Sequence, residues 1–271
     1  MSDGVSLFRH EAGRSVTIYP LVCLHIGAPQ ADLAFIRQHV ARIAADPDGR
    51  YVYLGDGGEC VTKASKGELY EQTASPDRQI DIVADLLEPI RGKGLFGISG
   101  NHDRRIAKLS GLDWTKALCA QLGIPYLGLA AMARFTLSAY GRSLAWDTFW
   151  HHGADSSAVL GGKLNAAKKL EHLAEVDAVF SAHSHIALDA PPTYRLRLDP
   201  QGRRVSYREV RNFICGCAYD STVPGYAMEK GYPPILPAWA GITLRVGKRK
   251  VGDVSRFVRE TTCHIYRKEV A

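Results

Sequence analysis

The sequence predicts an α/β fold in which two sheets pack between layers of helices. Three observations carry that expectation. Up to about residue 190, short β-branched and apolar runs alternate with stretches of helical periodicity. From 192 to 268 the pattern changes to strand period, with turns expected at Pro200-Gln201-Gly202 and Gly247-Lys248. A chain of 271 residues that is 46% apolar has enough material for one large α/β domain. No repeat, low-complexity segment or linker divides it, so a single domain over 1–271 is expected.

Residues 16–24, Ser-Val-Thr-Ile-Tyr-Pro-Leu-Val-Cys, read as a strand, with Pro20 marking an edge or an irregularity. Leu33, Phe35, Ile36, Val40 and Ile43 then repeat with helical spacing behind Asp32, a candidate N-cap. Tyr51-Val52-Tyr53-Leu54 forms a second strand and runs into Gly55-Asp56-Gly57-Gly58-Glu59. The polar stretch 61–74 is expected as a surface loop. Ser75-Pro76 opens a helix to about Arg91, with proline in its first turn and Ile80, Ile82, Val83, Leu86 and Leu87 as its apolar face. A third strand, 94–98, ends in Gly100-Asn101-His102-Asp103, and two short helices follow at about 103–109 and 113–122. A hairpin joins 132–139 to 143–150 through Tyr140-Gly141-Arg142 and ends in His151-His152-Gly153. A helix from Gly161 to about Leu173 leads to a strand at 177–180, which ends in Ser181-Ala182-His183-Ser184-His185.

No apolar run approaches membrane-spanning length, and Met1 to Arg14 is polar, without the apolar centre of a secretory signal. A cytoplasmic protein with no membrane partner is expected. The cysteines at 23, 60, 119, 215, 217 and 263 include no Cys-x-x-Cys pair, which points away from a disulfide framework and a structural zinc. Cys119, Cys215 and Cys217 read as small buried hydrophobes. A net charge of +6 favours anionic partners, phosphate-bearing substrates among them, without by itself indicating nucleic acid. Lys248-Arg249-Lys250 looks like a hairpin tip, either a solvated turn or a docking patch.

Collected, the strand ends carry Cys23 and His25, Asp56, Asn101 and His102, His152, and the pair His183 and His185. Five of the ten histidines lie just past expected strands, beside small residues that leave room for a ligand. Any one of them alone reads as structural, and Asn-His-Asp alone also fits a solvated turn. Together with a carboxylate and an amide they form a mixed nitrogen and oxygen donor set suited to zinc, manganese or iron. Open α/β sheets place their chemistry at such strand ends.

Cys23-Leu24-His25, Gly55-Asp56-Gly57-Gly58-Glu59, Gly100-Asn101-His102-Asp103, His152-Gly153 and Ala182-His183-Ser184-His185 follow one another along the chain. In order and spacing, over about residues 18–190, they resemble the five motifs of the calcineurin-like metallophosphoesterase family: Asp-x-His, Gly-Asp-x-x-Asp/Glu, Gly-Asn-His-Asp/Glu, His-Gly and Gly-His-x-His. The segments His151-His152-Gly153 through Gly161-Gly162-Lys163-Leu164-Asn165, and Gly100 through Ile106, further resemble phage- and prophage-encoded members.

The resemblance implies a four-layer αββα sandwich of two mixed sheets flanked by helices. Its motif-bearing core would span about 16–190, with the strands of 192–268 completing the second sheet. It also implies two divalent metal ions (manganese, zinc or iron) about 3.5–4 Å apart, bridged by Asp56 and a hydroxide. His25 and His185, with position 23, would complete one metal; Asn101, His152 and His183 would complete the other. His102 is implied not as a ligand but beside the phosphate, donating to a nonbridging oxygen or to the leaving group, with Asp103 orienting its ring. Asn101 and His102 would also touch the substrate. Glu59 is assigned no direct ligation. Arg105 reads either as a phosphate contact or as a surface arginine of the following helix.

Two departures from the family pattern bear on the chemistry. Ala182 in place of glycine only changes backbone freedom. Cys23 in place of aspartate matters more: a thiolate is softer than a carboxylate and biases its site from magnesium towards zinc or iron. The alternative is a buried strand-end thiol with the first metal weakly held or missing. His151 is expected to face away from its neighbour His152 by strand alternation. The expected function is metal-dependent phosphohydrolysis, on a phosphodiester of a nucleotide or nucleic acid. The diester preference rests on the phage-like segments and the basic charge. The alternatives are a phosphomonoesterase and a non-catalytic binding scaffold of the same fold. The loop Tyr226–Pro234 either borders the active-site mouth or packs against the second sheet.

Overall fold

The structure, a computed structural model, describes residues 5–65, 69–154, 157–199, 201–251 and 254–269, without the side chains of Tyr226, Ala227 and Val251. The chain enters it through a strand that composition hides. β1 (Ser6–Ala12) is SLFRHEA, half-exposed at alternate positions, and nothing local separates it from the polar tail expected over Met1–Arg14. It becomes a strand because it has a long-range parallel partner, described below. β2 (Ser15–Leu21) follows, buried from Val16 onwards.

α1 (Leu33–Ala45) starts where expected: the Asp32 carboxylate accepts the Phe35 amide at 2.9 Å, and Phe35, Ile36, His39, Val40 and Ile43 form the buried face. β3 (Gly49–Tyr53) leads through the 61–74 region to α2 (Pro76–Leu87). Residues 66–68 of that region lie outside the described set. α2 ends at Leu87, short of Arg91, and continues as a 3₁₀ segment, Glu88–Lys93. The reason is Pro89, which has no amide hydrogen to give and whose ring crowds the carbonyl one turn back. β4 (Gly94–Gly97) precedes α3 (Asp103–Ser110) and α4 (Trp114–Leu122).

β5 (Ala130–Ala139) and β6 (Arg142–His151) form the expected hairpin. Tyr140 (φ 55°) and Gly141 (φ 70°) supply the two positive-φ positions that a tight hairpin turn needs. α5 (Leu160–Lys169) is followed by a 3₁₀ turn and β7 (Ala178–Ser181). β8 (Ala187–Leu198) and β9 (Val205–Cys217) make a long ribbon. Of its predicted turn, Pro200 lies outside the described residues. A short helix, α6 (Tyr226–Glu229), precedes β10 (Ala238–Val251) and β11 (Val254–Arg267), the second long ribbon. The turn expected at Gly247-Lys248 is not there. Both residues continue β10, paired with Val258 and Phe257, because the alternating pattern runs unbroken to Val251.

Strand order is β1-β5-β6-β7-β9-β10-β2-β3-β4, with β8 on β9 and β11 on β10. β1 pairs with β5 over its whole length, Ser6 to Ala12 against Ala131 to Leu137. The path narrows between β9 and β10, which share only the pairs Ala238–Cys217 and Trp239–Gly216. Gly216 sits at this crossing with φ 95°, and a Cβ there would lie 1.8 Å from the Ala238 carbonyl oxygen. Two sheets therefore form, joined by that short seam rather than separate.

They pack face to face. Phe96 of β4 meets Phe8 of β1 and Trp150 of β6, with ring centroids 4.9 and 5.6 Å apart. Alternation fixes the layers: Ala131, Ala133, Phe135 and Trp150 face the shared core, while Ala130, Phe149 and Val179 face the opposite way, towards Leu170 and Ala174 after α5. On the other side α1 lies against β3 and α4 against β4. The order is helix, sheet, sheet, helix, as expected.

Direction places the site. β2, β3 and β4 are mutually parallel, as are β6, β7 and β9. β9 and β2 are each antiparallel to β10, so all six strands point the same way and their C-terminal ends share one edge.

Candidate functional site

At that edge the ligand-type residues occupy a rare backbone conformation. Cys23, His25, Asp56, His183 and His185 all have positive φ, at 50°, 50°, 55°, 64° and 59°. Only Cys60 and Tyr140 share this among the other described non-glycine residues. Each such residue costs about 1 kcal/mol or more, and such strain persists only where surrounding contacts hold it. Here the contacts are backbone hydrogen bonds between neighbouring loops. The Cys23 and His25 amides donate to the carbonyls of Gly55 and Asp56, and the Ala218 amide donates to the Cys23 carbonyl. Gly55 (φ 91°) and Gly100 allow the β3 and β4 loops to touch. A Cβ on Gly100 would lie 2.0 Å from Asp56 Oδ1.

The side chains converge in overlapping groups. The ligand atoms of Cys23, His25 and His185 lie within 4.8 Å of one another, and so do those of Cys23, Asp56 and His152. A third such group is His25, Glu59 and His102. In the first, the Nε2 atoms of His25 and His185 are 3.0 Å apart, and His25 Nδ1 donates to Glu59 Oε2 at 2.7 Å. That bond leaves His25 Nε2 as a lone pair aimed at its neighbour. Burial, then the His25 and His183 imidazoles, keep the His185 ring well below the ordinary histidine range, hence neutral.

In the second group His152 Nδ1 donates to the Leu54 carbonyl at 2.7 Å, which turns Nε2 towards Asp56 Oδ2 at 2.9 Å. Both atoms are buried, and beyond this contact neither has a hydrogen-bond partner. Burial opposes charge on both. The attraction between them more than reverses it, holding Asp56 well below the carboxylate range and lifting His152 above the imidazole range. A buried imidazole nitrogen and a carboxylate oxygen that share a proton in a dry pocket, with the ring set from behind by a carbonyl, become two donors to a cation that takes the place of that proton.

Asp103 does not orient the His102 ring. Its Oδ2 accepts the hydroxyls of Tyr53 (3.1 Å) and Thr115 (3.0 Å) and the amides of Asp56 (2.9 Å) and Gly100 (3.1 Å). It is a buried clamp on the ligand loops. The ring is held by Glu59, whose carbonyl oxygen and Oε2 lie 3.1 and 3.3 Å from His102 Nδ1. Arg105 also reaches Glu59, with Nη1 donating to its carbonyl at 3.0 Å, while Nη2 donates to His102 Nε2 at 3.1 Å. Burial lowers the His102 pKa, but Asp56 and Glu59 outweigh it and raise the ring above the ordinary histidine range. The surface reading of Arg105 does not hold: its side chain is one-fifth exposed and lines the site.

A cavity of about 810 Å³ opens over these groups. Asn101 and His183 line it beside His25, His102 and His185; the His183 imidazole does not join the compact ligand groups, and its ring centroid is 5.5 Å from that of His152. Lys163 of α5 also lines it and donates to the Ser184 carbonyl at 2.8 Å. Its remaining wall is largely apolar, with Val159, Leu160, Ile186, Pro233 and Ile235. Tyr232 and Pro233 place the 226–234 loop at the mouth, and Tyr219 stands 5.4 and 5.5 Å from the rings of His25 and His185. His151 takes no part: its Nδ1 accepts the Gly153 amide at 2.8 Å.

Sequence reasoning missed Tyr53, Thr115, Tyr219 and Lys163. For Tyr219 a signal exists, since β9 is a further parallel strand and Tyr219 lies two residues past its end. Thr115 carries none, being one helical residue among others.

Lys248, Arg249 and Lys250 lie far from all this. β10 starts beside the end of β2, where the Trp239 indole donates to the Val22 carbonyl, and passes Ser15 at Arg245. At strand rise the basic run is about 35 Å along β10 from the site. It does not feed substrate into the cavity.

No family profile matches the chain, and no curated protein matches it. Among solved structures it is similar to a single mutant of Vps29 from Entamoeba histolytica, at 11% identity and TM-score 0.41 over 91% of this chain and 99% of that one. It is similar to the calcineurin-like phosphoesterase YfkN of Bacillus subtilis, at 11% identity and TM-score 0.36 over 94% and 91%. The nuclease MPE of Pseudomonas putida shares 14% identity at TM-score 0.36 over 89% and 87%. The functional reading therefore rests on the residues and their geometry. No helix among the described residues is long and apolar enough to cross a membrane.

Proposed function

We propose that the chain is a metal-dependent phosphohydrolase that acts on phosphodiesters of nucleotide type. The observation that carries this reading is the pair Asp56 Oδ2 and His152 Nε2, buried and 2.9 Å apart with no other partner, with Cys23 beside them and the His25–His185 pair adjoining. Cys23, His25, Asp56 and His185 would hold one divalent cation; Asp56, Asn101, His152 and His183 would hold the second. Such cations, when bound, polarise phosphoryl oxygens and make hydroxide available near neutral pH.

The protein groups supply the rest. Arg105 faces the cavity with a planar guanidinium suited to phosphoryl oxygens. In the substrate-free protein His102 Nε2 accepts from Arg105; once Arg105 turns to the substrate, the charges of Asp56 and Glu59 favour a proton on that nitrogen, which His102 can give to the leaving oxygen. Glu59 holds the ring through Nδ1. Preference for diesters is supported by the cavity wall: a second ester substituent needs room and apolar cover, and Val159, Leu160, Ile186 and Ile235 offer both.

The test is hydrolysis of bis-aryl and mono-aryl phosphates by chelator-treated protein after addition of manganese, zinc, iron or magnesium. Metal-dependent turnover is expected, faster on the diester, with His102→Ala slower by about 10²–10⁴-fold. A faster monoester would assign the chain as a phosphomonoesterase. No turnover of either ester with any metal would leave a binding scaffold.

A further inference from the structure

We propose that Cys23 is a shared donor, one sulfur that serves both cations of the centre. The inference rests on the dinuclear reading above and goes beyond it, because the family resemblance places position 23 on one metal only. Cys23 Sγ links the His25–His185 pair to the Asp56–His152 pair, lying within 4.8 Å of the His25 and His185 ligand nitrogens and of the Asp56 and His152 ligand atoms. The second group contains Asp56 Oδ2 and His152 Nε2, buried, 2.9 Å apart and without a further partner.

The placement of this sulfur is over-determined. Cys23 is fully buried, its amide is held by Gly55, its carbonyl by Ala218, and its φ is 50°. The side chain thus leaves a backbone clamped between the β3 loop and the end of β9. A thiolate carries the same charge as the aspartate it replaces, so the charge of the centre is unchanged while its donor set becomes softer. On coordination the S–H bond is exchanged for bonds from sulfur to metal. The proton passes to solvent, and no oxidant or reductant is consumed.

Cobalt(II) titration of the chelator-treated full chain tests this without any activity assay. A near-ultraviolet sulfur-to-cobalt charge-transfer band should rise through the first equivalent and keep rising through the second. Cys23→Ser should lower it at least tenfold. Cys217→Ser and Cys60→Ser, which remove the two other buried thiols near the site, should leave it intact. Cys23→Asp provides a second variant: it should bind both equivalents with no band, and its circular dichroism should match the parent. A band that saturates at one equivalent makes Cys23 a terminal ligand and overturns the proposal. So does a band that survives in Cys23→Ser, or two bound cobalt ions with no band in the parent. If no cobalt binds at all, the metal-centre reading falls as well.

Discussion

The two halves of the site are built differently. The loops after β3 and β4 are tied to one another by a buried carboxylate: Asp103 Oδ2 accepts four donors, from β3, its loop, the β4 loop and α4. Glu59 adds a second tie, joining His25, His102 and Arg105. The loop after β7 has less of its own. His183 and His185 sit in strained conformations around Ser184, whose carbonyl takes the Lys163 ammonium, and the Ala182 amide donates to the His152 carbonyl. The first half is organised by two buried carboxylates, whereas the second leans on the Lys163 ammonium, the His152 carbonyl and the Cys217 thiol at the His185 carbonyl. A metal centre needs only one rigid side if the cation itself recruits the other.

Three experiments break or sharpen that contrast. Removing the clamp has the largest expected effect. Asp103→Ala leaves four buried donors without an acceptor and should lower the stability of the metal-free protein by on the order of 3–5 kcal/mol in urea unfolding. A loss below about 1 kcal/mol would mean that the first half is not held by this carboxylate.

Next comes a buried titratable group of the same half that lies away from the ligands. His39 is fully buried among the rings of Tyr19, Phe35, Trp239 and Tyr266, with no hydrogen-bond partner at either nitrogen. Burial, and then Arg42, push its pKa down to about 3 from the usual 6.5. The unfolded chain therefore takes up a proton at this position as pH falls below 6.5, while the folded chain does not until near 3. Its stabilising share is complete above 6.5 and is lost on acidification, by about 2 kcal/mol between pH 6.5 and 5. His39→Leu should flatten that slope. Equal slopes in the two proteins would show that acid weakens the molecule elsewhere, at the ligand histidines and carboxylates.

The smallest effect is expected in the second half. Lys163→Met keeps the length and apolar stem of the side chain but drops the hydrogen bond to Ser184. It should weaken cation binding about tenfold and speed amide exchange at 183–186, while exchange at 55–60 stays as it was. Unchanged cation affinity would place the support of that loop somewhere other than α5.

Much of this was legible from local sequence, and the reason is physical. Alternation and helical spacing are properties of neighbours, so α1, the β5–β6 hairpin and the strand-end positions of Asp56, His152 and His183 follow from residues a few places apart. Asp32 caps its helix because the donor it meets is three residues away. β1 was hidden because its strand character comes from a partner more than a hundred residues downstream. The turn in the last ribbon was misplaced because glycine is compatible with both turn and strand, and only the register against β11 decides between them.

By itself the sequence determined which donors reach the strand ends: imidazoles, a carboxylate, an amide and one thiol, each next to a residue small enough to leave space. Only the tertiary structure decided how they share the work. It set Glu59 and not Asp103 against His102, brought Arg105 into the cavity, and put Cys23 between two ligand groups. Those assignments depend on distances between loops that meet across the seam of two sheets, and no periodicity within a single strand or helix encodes them.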